Sequence, residues 1–96
     1  MRRALAAAIG FASIAAAMVA SAEPPAGAAA CSGCHPASTR VTSPVLRLAG
    51  RDRAEIVKAL WDFRAGTRAA TVMDRIAKGF TDEEIQAIAA WYATQR

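Results

Sequence analysis

The sequence predicts a small all-α domain in which three to four helices surround a bound group. Three observations predict it. No stretch alternates apolar and polar residues as a half-buried strand would. Two segments, near 53–65 and 82–94, repeat apolar residues at helical spacing behind capping residues of their own. The chain of 96 residues allows one domain. A core below roughly 70–80 residues seldom stabilises a fold by more than a few kcal/mol, so such chains add disulfides, a metal or a cofactor.

The leading segment is built for export. Arg2 and Arg3 precede an apolar, alanine-rich run from Ala4 to Ala20 that ends in Ala20-Ser21-Ala22, ahead of Glu23-Pro24-Pro25. A basic start, a short apolar centre and an Ala-x-Ala end are the layout of a cleavable secretory signal. The run is short and weakly hydrophobic for a spanning helix, which needs about 20 apolar residues. We therefore expect residues 1–22 to be removed in the periplasm, leaving a single domain over residues 23–96 without stable membrane insertion. Removing Arg2 and Arg3 halves the formal net charge, from +4 to +2. The remaining basic residues are interspersed with acids, and no basic block with interleaved aromatics supports nucleic-acid binding.

Each element follows from local chemistry. A short helix is expected to begin near Pro25 or Ala26 and to carry Ala28 to Cys34. Residues 36–50 hold two prolines and many Ser/Thr residues, which makes them a loop. Asp52 can cap a helix over residues 53–65, with Glu55 reaching back in a capping box and Gly66 ending it. Its inner face is Ile56, Ala59, Leu60 and Phe63. Val57 and Trp61 lie beside that face and are assigned to the core, with a partner surface as the alternative. Residues 68–78 are ambiguous: a loop, then a helical turn at 74–78. Thr81 and Glu84 form a second capping box for residues 82–94, whose inner face is Ile85, Ile88, Ala89 and Tyr92.

The chemistry lies in Cys31-Ser32-Gly33-Cys34-His35. A Cys-x-x-Cys-His run is the attachment signature of c-type haem. Two thiols on one turn can form thioethers to the haem vinyl groups, while the adjacent imidazole reaches the iron. Gly33 leaves room for the porphyrin edge. A thioredoxin-like pair would need a preceding strand. A structural zinc site would need four Cys/His ligands, and the chain has two cysteines and one histidine. A plain disulfide would leave His35 unexplained.

The iron then needs a second axial ligand. Once Met1 and Met18 leave with the leader, Met73 is the only methionine, and no second histidine competes. The alternative is a flexible core filler, the usual role of methionine. His/Met ligation raises the reduction potential and fills both axial positions, which suits electron transfer rather than oxygen chemistry. A ligating imidazole donates its other N–H to an orienting group. The loop at Pro44 could supply that carbonyl, or Pro44 could be a simple loop proline. One of Arg40, Arg47 and Arg51 could pair with a haem propionate, though solvated surface charge is the commoner role. An open, ligand-binding or peroxidase-like iron is the remaining alternative.

Beyond the haem motif, Leu48-Ala49-Gly50, Asp62-Phe63-Arg64-Ala65-Gly66 and Met73-Asp74-Arg75-Ile76-Ala77-Lys78-Gly79 form a pattern over most of residues 28–92. That pattern resembles the class I cytochromes c, and more closely the cytochrome subunit of flavocytochrome c sulfide dehydrogenase. The resemblance implies a small class I cytochrome c fold around one covalent haem c. It implies that Cys31 and Cys34 carry the haem, that His35 and Met73 ligate its iron, and that Pro44 supports the proximal histidine. It also implies a subunit that is not catalytic by itself and accepts electrons from an FAD-containing flavoprotein that oxidises sulfide. A free-standing electron shuttle is the alternative. The chain departs from the family at Pro36-Ala37-Ser38-Thr39-Arg40 and at Ser43, where glycines are common, and at Asp74, where a glycine often follows the methionine.

Overall fold

The computed structural model describes residues 23–96 and, ahead of them, residue 10. The expected leader, residues 1–22, thus lies outside the described residues apart from that glycine. Four helices follow in order: α1 (Ala28–Cys31), α2 (Arg53–Ala65), α3 (Met73–Ala77) and α4 (Asp82–Thr94). The described residues contain no strand, so the fold is all-α as the periodicity requires.

Helices α2 and α4 span the expected residues because their ends are chemically marked. At α4, Glu84 N–H donates to Thr81 Oγ1 at 3.2 Å, and Thr81 N–H donates to Glu84 Oε1 at 3.1 Å. At α2 only half of the expected box forms. Asp52 Oδ2 accepts from Glu55 N–H at 3.2 Å, whereas the Glu55 carboxylate turns outward to within 4.0 Å of the Arg51 guanidinium. The end of α2 is set by Gly66 at φ 76°, a left-handed residue that lets Thr67 N–H reach Asp62 O at 3.0 Å.

The core is the crossing of these two helices. Ile56 and Val57 of α2 bury against Ile85, Ile88, Ala89 and Tyr92 of α4, with Ala28 of α1 beneath. All four residues expected on the inner face of α4 are buried. The buried stripe of α2 is rotated from expectation: Val57 joins Ile56, Leu60 packs at the margin, and Ala59 and Phe63 are half-buried. The assignment of Trp61 to the core is wrong. It is 42 % exposed, at the rim of the α2–α4 seam, where Lys58 and the polar Gln86 line the same groove.

The shorter elements depart from expectation at their ends. Helix α1 stops at Cys31, and non-repetitive turns carry the winding on to His35. Helix α3 starts at Met73 itself, behind a Val72 that offers no side-chain cap. Residues 36–50 form no regular structure. They return to the core through Leu48 and through Gly50 N–H, which donates to Tyr92 O at 3.0 Å.

One close approach joins the two ends of the chain's chemistry. Gly27, at φ 84°, precedes α1, and a Cβ placed there would sit 2.5 Å from Phe80 Cε1. Phe80 lies three residues beyond the end of α3. Gly27→Ala is therefore expected to destabilise the protein by roughly 2–3 kcal/mol, from the left-handed backbone and the displaced ring together. The urea unfolding midpoint reads this effect, and an unchanged midpoint would refute it. Among the described residues no helix is long and apolar enough to cross a membrane.

Candidate functional site

The site is built on the turns that continue α1. Ser32 N–H donates to Ala29 O and Gly33 N–H to Ala30 O. Cys31 O accepts from Cys34 N–H at 3.2 Å and from His35 N–H at 2.9 Å. This winding brings Cys31, Cys34 and His35 onto one compact turn. Both thiols are free, Cys31 half-buried and Cys34 exposed. Burial pushes the Cys31 thiol above its ordinary range.

The imidazole of His35 is oriented. Its Nδ1 lies 2.7 Å from Leu46 O, which can only accept, so Nδ1 is the donor and Nε2 is the nitrogen not engaged by that bond. The carbonyl comes from Leu46, two residues after the exposed Pro44 in the same loop. Spacing alone could not fix the partner, because a loop without regular hydrogen bonds has no register to count along. Arg47 Nε closes this loop on Ala37 O at 3.1 Å, and Arg51 Nε donates to Arg47 O at 3.0 Å. The Arg40 side chain makes no hydrogen bond among the described residues, its backbone N–H bonding Ser38 Oγ.

Tyr92 ties the turn to α4. Its hydroxyl donates to Ala28 O at 2.5 Å and lies 3.1 Å from Ser32 Oγ. Sequence periodicity put Tyr92 on the inner face but gave no sign of these partners. Tyr92→Phe is expected to lower stability by about 1–2 kcal/mol. Burial also holds the phenol above its ordinary value of 10.0. The folded state thus keeps this proton more tightly than the unfolded chain. Its contribution is complete below the ordinary phenol range and is lost as pH rises from there through the folded value. A stability–pH curve should fall across that alkaline window, and the Phe variant should flatten the fall. An unflattened curve would show that another group is responsible.

Met73 stands on a separate element. It is half-buried at the first position of α3, and the link from α3 to the cysteine turn runs through Phe80 and Gly27. Asp74, the next residue, has a buried Oδ1 with no hydrogen-bond partner among the described residues. Among the described residues six large apolar side chains are exposed, and five belong to the segments that flank His35 and Met73: Val41, Val45, Leu46, Val72 and Ile76. Exposed apolar surface costs about 25 cal/mol per Å² against burial. By its chemistry, an apolar-flanked turn with two free thiols and an imidazole suits a flat, apolar, iron-bearing ring, and Met73 offers a thioether on a separate element. Among the described residues no three His, Cys, Asp or Glu side chains converge as a conventional metal site.

Comparison with known proteins gives a consistent picture. No protein-family model matches the chain. It is 42 % identical over 62 residues to the cytochrome subunit of sulfide dehydrogenase from Chlorobaculum tepidum, covering 65 % of this chain and 56 % of that protein. It is 35 % identical over 65 residues to cytochrome c-552 from Acidithiobacillus ferridurans, covering 68 % and 28 % respectively. It is 42 % identical over 65 residues to the thiosulfate dehydrogenase electron acceptor of Stutzerimonas stutzeri, covering 66 % and 30 %. The chain is thus similar to c-type cytochromes, the sulfide dehydrogenase subunit among them, and the match spans about half or less of each relative's length.

Proposed function

We propose that this chain is an exported c-type cytochrome that carries single electrons on one covalent haem c. The observation that carries the proposal is the turn at Cys31, Cys34 and His35, with the imidazole oriented by Leu46 O and Nε2 left to ligate. On this reading Cys31 and Cys34 hold the haem through thioethers, and His35 and Met73 ligate its iron. Haem would supply a one-electron couple, and the protein would supply the ligands to its iron, an apolar lining and orientation. Leu46 O fixes the ring and raises the basicity of the ligating nitrogen. Tyr92 and Ser32 hold the turn on α4. Nothing in such a role requires a side chain to act as acid, base or nucleophile, so the chain would not be an enzyme by itself. Pro44 would stiffen the loop that presents Leu46.

The similarity to a sulfide dehydrogenase cytochrome subunit supports an FAD-containing flavoprotein as the electron donor. The similarity to an electron acceptor of thiosulfate dehydrogenase favours a second reading, a free soluble shuttle. The basic start, apolar run and Ala20-Ser21-Ala22 support release of residues 1–22 and a periplasmic location.

The test is expression with a haem-attachment system. Exported protein should begin at Glu23 and give a c-type pyridine haemochrome with one haem per chain. Absence of that spectrum would sink the proposal. Sulfide should reduce the purified protein only when a flavoprotein partner is present. Reduction by several unrelated donors at equal rates would favour the free shuttle.

A further inference from the structure

We propose that Arg64 is a positioning residue for Met73: it latches the exit of α3 onto α2 and so sets how readily the methionine leaves the iron. The proposal rests on the reading of Met73 as an axial ligand.

Helix α3 has little of its own to hold it. It is five residues long, Val72 offers no side-chain cap, and among the helices it packs against α2 alone. Such a short segment belongs to the weak end of a fold's local stabilities. The chain leaves it through Gly79 N–H to Ile76 O and Phe80 N–H to Ala77 O. Arg64, in the last turn of α2, crosses to this exit. Its Nη1 donates to Phe80 O at 3.4 Å and its Nη2 to Asp82 Oδ1 at 2.5 Å. The planar guanidinium spans both acceptors, which a lysine ammonium cannot do in the same geometry.

The latch also reaches the haem-attachment turn, because the Phe80 ring lies against Gly27. Its neighbours explain why Arg64 is free to cross. The carbonyls of Asp62 and Phe63 close α2 at Gly66, and Arg68 lies over the Phe63 ring at 4.9 Å. The Asp62-Phe63-Arg64-Ala65-Gly66 run is thus a corner that aims one guanidinium at the segment joining α3 to α4. Asp82 is 62 % exposed in this pair, and exposed pairs contribute little to global stability. The effect of Arg64 should therefore be local to α3.

Cyanide binding to the ferric holoprotein tests this, since cyanide enters only when Met73 is off the iron. Arg64→Ala should accelerate cyanide association by roughly three- to tenfold, the range expected for the net loss of one ordinary hydrogen bond at a partly exposed site. Arg64→Lys should fall between Ala and wild type, and it supplies the comparison if the Ala variant does not mature. Ile88→Val, a core truncation on α4, lowers global stability and should leave the rate unchanged. A wild-type rate in both Arg64 variants would overturn the proposal. Equal acceleration by Ile88→Val would also overturn it, because opening would then be global. The far-red methionine-to-iron charge-transfer band tests the reading beneath it. If wild type lacks the band, Met73 is not the ligand and the latch falls with it. If the band is present and the rate is unmoved, the latch alone fails.

Discussion

A Cys31→Ala/Cys34→Ala double variant, unable to bind haem covalently, is expected to lose most of its helical circular dichroism and its cooperative thermal transition. The reason is the core. Among the described residues the buried ones are Ala28, Ile56, Val57, Ala77, Ile85, Ile88, Ala89 and Tyr92, three of them alanine, and the largest fully buried side chains are Ile85 and Ile88. Domains this small bury a low fraction of their surface and usually need a staple. The two thiols lie on one turn and do not bridge distant parts of the chain. Meanwhile Val41, Val45, Leu46, Val72 and Ile76 stay exposed to solvent on the segments beside His35 and Met73. A large apolar ring bound there would bury the very side chains the protein core leaves out. Haem would then contribute folding free energy as well as redox chemistry, as a structural metal does in small domains. The measurement is far-ultraviolet circular dichroism of the variant beside the wild-type holoprotein, with a thermal scan of each. A variant that keeps near-native ellipticity and a sharp transition would show that the polypeptide core suffices.

How much of this was legible in the sequence depended on how local each determinant is. Helix α4 was legible in full because Thr81 and Glu84 satisfy each other and the buried face repeats at helical spacing. The ends of α2 were legible for the same reason at Asp52 and Gly66. Its buried stripe was not, because which flank α4 covers is decided by packing, and packing chose Val57 over Trp61. Helix α3 was missed by one residue at its start, since Val72 carries no capping chemistry to mark it. Within the site, the clustering of Cys31, Cys34 and His35 was carried by contiguity alone. The acceptor for His35 lies eleven residues on, across an irregular loop, so the loop at Pro44 was visible in the sequence and Leu46 as the residue that supplies the carbonyl was not. The bonds of Tyr92 to Ala28 and Ser32 span some sixty residues. The reach of Arg64 to Phe80 and Asp82 is likewise tertiary. Spacing rules look within one element, so they cannot find such pairs.

Replacing Met73 should produce the other large effect, and the choice of replacement decides what is learned. Met73 is half-buried at the start of α3, so truncation to Ala would mix lost ligation with lost packing. Met73→Leu keeps the volume and costs the fold less than about 1.5 kcal/mol, while removing the thioether sulfur. In the ferric holoprotein this variant should lose the far-red charge-transfer band and bind cyanide without the delay set by methionine release. With Met73 as the proposed ligand, loss of the thioether would also remove its stabilisation of the reduced iron, so the midpoint potential should fall. A drop of about 60 mV or more corresponds to a tenfold change in a one-electron equilibrium. These three readouts separate a closed electron carrier from an open, ligand-binding haem protein. If wild type already binds cyanide at once and lacks the band, the iron is open and electron transfer is no longer the favoured role. If Met73→Leu keeps both band and potential, the sulfur is not on the iron, and Met73 is the core filler that methionines more often are. The combination expected here, a closed wild type opened by a single near-isosteric change, would tie the electron-carrying role to one atom of α3.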